Sequence, residues 1–95
     1  MATVEDAIEL LRDPDNVKRV GDGTYEYLSV RSEQVVRQLR RRGAESQHQA
    51  LALIRSATRA LGGDELIVER PSALQADELG VGPRRMMPAF WLPAD

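Results

Sequence analysis

Arginine is the residue type through which this chain could act on other molecules. Arg37, Arg40 and Arg41 fall at i, i+3 and i+4, the spacing that places side chains on one face of a helix. Arg55 and Arg59 repeat the i, i+4 step further along, with His48 seven residues before Arg55. A guanidinium is planar, permanently charged and carries five N–H donors, so a cluster of them suits phosphate or carboxylate groups. The charge around them is uneven. Residues 1–30 hold three basic and seven acidic side chains, a net of −4. Residues 31–60 hold seven arginines against two glutamates, a net of +5, and residues 61–95 hold three arginines against six acids, a net of −3. A basic middle between acidic ends reads as a contact surface for acidic groups.

Other chemistries have little to build on. There is no cysteine, which excludes disulfides, thiolate metal sites and thiol nucleophiles. His48 is the only histidine, and no nucleophile is placed beside it, so it reads as an exposed polar residue. Asp13/Asp15 and Asp64/Glu65 sit at element ends, where carboxylates usually bond to backbone. One histidine and scattered acids give no metal-ligand spacing. Gly21-Asp22-Gly23 lacks the length and ligands of a phosphate or calcium loop and reads as a turn. No cofactor and no catalytic residue is implied.

A second feature lies near the C-terminus. Met86, Met87, Phe90, Trp91 and Leu92 put half of the chain's four aromatic residues into seven positions. Phe90 and Trp91 are the anchor types that interfaces favour.

The elements that must position these residues follow from the apolar pattern. Val4, Ala7, Ile8 and Leu11 mark a helix to about Arg12, with Thr3 and Asp6 as a capping box and Pro14 as its end. Val17–Val20 and Thr24–Val30 flank Gly21-Asp22-Gly23 as a β-hairpin. Ser32 is expected to cap a helix over Glu33–Arg42, which Gly43 stops. A long helix over 45–61 carries Ala50, Leu51, Ile54, Ala57, Thr58 and Leu61 on one face. Glu65–Glu69 reads as a strand, and Ser72 with Gln75 caps a short helix to about Leu79. Three prolines in 83–95 predict an extended tail beyond one domain of residues 1–82.

The expected architecture is therefore α+β: helix, β-hairpin, two helices, third strand and short helix. A small, mainly antiparallel three-stranded sheet is packed by helix 45–61. No secretory leader or membrane span is visible, and a cytoplasmic location is expected. The functional expectation is a small regulatory protein, inhibitor- or antitoxin-like, that binds another protein or itself as a homodimer. Arg37, Arg40, Arg41, Arg55, Arg59, Phe90 and Trp91 would make the contact. The alternative is nucleic-acid binding through the same arginines. The pI of about 5.4 argues against that alternative, as does an element order unlike a winged helix-turn-helix.

Overall fold

The computed structural model describes residues 1–71 and 84–94. Three α-helices and four strands appear in the order α1 (Val4–Leu11), β1 (Val17–Gly21), β2 (Glu26–Val30), α2 (Ser32–Arg41), α3 (Gln47–Ala60), β3 (Asp64–Pro71) and β4 (Arg84–Pro93). A 3-10 turn, Pro14–Asn16, links α1 to β1.

Local chemistry explains the helix ends. The Thr3 hydroxyl accepts from the Asp6 backbone N–H, and the Asp6 carboxylate accepts from the Thr3 N–H at 2.9 Å, so the expected capping box is closed. Ser46 caps α3 by accepting from Gln49 N–H. At α2 the expectation is corrected: Ser32 is the first helical residue, and Arg31 holds the cap position without a side-chain hydrogen bond. The Arg31 N–H is spent instead on the carbonyl of Asn16, at 2.8 Å, which fixes where the helix can begin.

Strands β1 and β2 form the expected hairpin, with Gly21 and Gly23 at φ values of 146° and 92°. Asp22 accepts from Thr24 N–H inside the turn. The sheet itself departs from the expected plan. It has four antiparallel strands in the order β1-β2-β4-β3. The extended C-terminal tail is indeed extended, but it is strand β4, inserted between β2 and β3. The third strand therefore reaches the hairpin only through β4. Pro88 is tolerated because β2 pairs only with Trp91–Pro93, leaving Pro88 with a strand neighbour on one side. The expected short helix after Pro71 lies outside the described residues.

Strand alternation sorts the sheet into two faces. Val30, Phe90 and Leu92 point to the helices and join Leu11, Val35, Leu39 and Ile54 in one core. Helix α3 packs its apolar face there as expected, although α1 and α2 share the covering. Where α3 turns into β3, a Cβ on Gly63 would collide with the Trp91 carbonyl and the Thr58 methyl, so only glycine permits this approach. Buried Asn16 ties the layer together: its amide donates to the Leu10 carbonyl and its oxygen accepts from Gln34, both at 2.8 Å.

Candidate functional site

The other face of the sheet has no helix over it among the described residues. Tyr27 and Ser29 of β2, Ala89 and Trp91 of β4, and Leu66 of β3 all point there by alternation, opposite to the buried Phe90 and Leu92. Together with Tyr25 from the turn they line a groove of about 360 Å³. Tyr25 and Leu66 are 64% and 59% exposed, values large for apolar bodies of this size. The rings of Tyr25 and Tyr27 lie with centroids 6.1 Å apart and planes tilted by 45°. Register sets Trp91 beside Ser29 on one side and Asp64 on the other. Three of the four aromatic residues of the chain thus stand on this face, not in the core. Among the described residues, the lining holds the hydroxyls of Tyr25, Tyr27 and Ser29 and no histidine or carboxylate beside them. It can offer apolar contact and aromatic edges with hydroxyl tips, the chemistry of a protein-binding surface.

The residues expected to make contact fall into three separate places. Phe90 is 1% exposed and belongs to the core, although it is also among the residues lining the groove. Its neighbour Trp91, on the opposite face, is half-buried and lines the groove. Arg55 and Arg59 of α3 turn to the β3 side, where both meet Glu65. Arg55 donates through Nε to Oε1, and Arg59 approaches the same oxygen at 3.6 Å. The Glu65 side chain is only 17% exposed, so these two arginines serve first to neutralise an acid under the helix.

Arg37, Arg40 and Arg41 are exposed on α2 and have no ion-pair partner among the described residues. Arg37 also borders a cleft of about 280 Å³ between α2, the start of α3 and Pro88. Arg42, next in sequence, is engaged: it bridges to Asp6 at 3.3 Å and Glu9 at 3.2 Å on α1. The Asp6 carboxyl is held below its usual value by the Thr3 backbone N–H first, with Arg42 adding to the effect. The Arg42 guanidinium is raised mainly through its bond to Glu9. Of the five expected arginines, Arg55 and Arg59 are thus paired with Glu65, Arg37, Arg40 and Arg41 are exposed, and none lines the Trp91 groove. His48 is exposed at the start of α3. Among the described residues, no group of three or more potential ligands could hold a metal ion.

Tyr25, Tyr27 and Leu66 were not among the expected contact residues. The signal for Tyr27 was present: placing Leu28 and Val30 on the core face forces Tyr27 and Ser29 to the other. No protein-family model, curated protein or solved structure matches the chain. Fold and site define it as a small α+β domain with helices on one side of an antiparallel sheet and an aromatic groove on the other. No helix among the described residues is long and apolar enough to cross a membrane.

Proposed function

We propose that this chain is a non-enzymatic binding protein that docks a partner protein on the sheet face that has no helix over it among the described residues. The observation that carries this reading is the aromatic groove. A chain with so few aromatics spends Tyr25, Tyr27 and Trp91 outside its core, where they contribute least to folding and most to contact. Trp91 is the central anchor, with Leu66 and Tyr27 beside it. The test compares affinity capture by the wild-type chain with capture by Leu66→Glu and Tyr27→Ser. A defined protein should be retained by the wild type and lost from both variants while their thermal melts stay close to wild type. Retention of the same protein by both variants would remove the groove from the function.

A second reading rests on a different observation, the three exposed arginines of α2, which have no ion-pair partner among the described residues. Arg37, Arg40 and Arg41 form a surface for an acidic ligand, nucleic acid included. Fluorescence anisotropy with labelled duplex and single-stranded oligonucleotides tests it. Affinity should fall steeply with salt and fall again in Arg37→Glu/Arg41→Glu. No binding at low salt eliminates nucleic acid as the ligand.

A further inference from the structure

On the helix side of the sheet, where α1 and α3 both stop, the two layers do not close on each other. Helix α1 ends at Leu11, the chain leaves it through the 3-10 turn Pro14–Asn16, and α3 ends at Ala60. Between these ends a cavity of about 500 Å³ opens over the core face of β1, β2 and β4. Its floor follows from the register: Arg19 pairs with Leu28, and Leu28 with Leu92, so the three lie side by side on one face. Leu11 and Leu61 wall it from the two helix ends, and Pro14 and Val17 from the turn into β1. The volume falls within the range of about 300–1,000 Å³ in which proteins hold small molecules. The lining lies at the Asp64–Trp91 end of the β3–β4 ladder, whereas Pro71 and Arg84 pair at the other end.

The charged side chains lining this cavity are Arg12 and Arg19, and both are cations. Arg12 caps the end of α1, is exposed, and has no ion-pair partner among the described residues. Arg19 meets Glu26 at 3.1 Å, but the two side chains are 57% and 36% exposed, and a pair so open to water is weak enough to be exchanged. The carbonyls of Leu10 and Thr58, at the ends of α1 and α3, already accept from the Asn16 side chain and the Gly63 N–H. The arginines, not the helix ends, therefore set the charge that a ligand meets. We infer that this cavity binds a small carboxylate with an apolar body, the body against Leu28, Leu61 and Leu92 and the head on Arg12 and Arg19. A guanidinium offers paired N–H donors that match a carboxylate, and the bond is stronger beside apolar surface, where water competes less. A neutral molecule of the same shape gains the apolar contact alone, and a cationic one meets like charge. The cavity and the aromatic groove lie on opposite faces of the sheet, since Leu28 alternates with Tyr27 and Ser29. What binds here is thus independent of what docks there.

Amide NMR shifts of the full-length chain, titrated with octanoate below its micelle concentration, test this. The amides of β1 and of Leu61 should shift to saturation, while those of Leu66 and Ala89 on the groove side stay in place. Octanol, which has the body without the charge, should bind at least about tenfold more weakly, and octylammonium more weakly still. Acetate, which has the head without the body, should give no saturable shift. Arg12→Gln/Arg19→Gln alters two exposed side chains, so its thermal melt should stay near wild type. Its affinity for octanoate should fall to that for octanol, with octanol binding unchanged. Octanoate that moves no amide around the cavity, octylammonium or acetate that binds as tightly as octanoate, or a double variant with wild-type octanoate affinity overturns the inference. Partner docking on the groove is scored by capture, so either reading can fail without the other.

Discussion

The two faces of this sheet carry residues of similar type and put them to different uses. Phe90 and Trp91 are consecutive aromatics on the same strand. Phe90 is sealed in the core, while Trp91 lines a groove with Tyr25, Tyr27 and Leu66. Glu65 and Leu66 make the same point in reverse on β3: the charged residue points under α3 to meet two arginines, and the apolar one points to solvent. Hydrophobicity alone does not decide which residue is buried here. The pleat decides it, and the helices then compensate whatever the pleat delivers to them. An apolar residue left outside in such a scheme is free to be used for contact.

The largest expected effect breaks the comparison at β4. Phe90→Ala should cost about 3–5 kcal/mol, because it removes a fully buried ring and leaves a cavity in the core. Trp91→Ala should cost about 1 kcal/mol, since the half-buried indole loses only part of its area from water. Urea unfolding of both variants checks this. Equal costs would mean that Trp91 is a core residue and that the groove is a packing defect.

A smaller effect sharpens the comparison at β3. Glu65→Lys should destabilise by about 2–3 kcal/mol, because it turns a shielded acid into a cation beside Arg55 and Arg59. Leu66→Lys, one residue on, should stay within about 0.5 kcal/mol of wild type, its side chain already facing solvent. If the two substitutions cost the same, the assignment of faces on β3 is wrong.

How legible this was from the residues depended on how far apart the interacting groups lie. The Thr3–Asp6 box, the Gly21-Asp22-Gly23 hairpin and the stop at Gly43 are settled within a few residues, and each formed as its chemistry dictates. The place of β4 is settled by pairing with β2, more than sixty residues earlier, and its prolines argued for a tail. They were compatible with a strand because Pro88 has a strand neighbour on one side only. The pairing of Arg55 and Arg59 was hidden for the same reason. Helical spacing put Arg55 and Arg59 on one side of α3 correctly, but the acid that occupies them arrives from a strand whose position no local pattern reveals. The groove was half legible, since the alternation that buried Val30 also turned Tyr27 outward.

The smallest effect concerns neither face, and it serves as the control for both. Arg42 clamps the end of α2 to Asp6 and Glu9 of α1, entirely within the helical layer. Asp6 titrates below its usual range because of the Thr3 N–H and then Arg42, and Asp22 does so because of the Thr24 and Tyr25 N–H groups in the hairpin turn. A carboxyl whose folded-state value is depressed binds fewer protons than its unfolded counterpart. Its stabilisation is therefore present above roughly pH 4 and is lost as the pH falls through the folded-state value. The melting temperature should accordingly drop between pH 5 and pH 3, and Asp6→Asn should flatten part of that drop while lowering the value at pH 7 slightly. Asp22→Asn should flatten another part independently, because the two sites share no partner. An acid slope unchanged in both variants would place the acid sensitivity elsewhere.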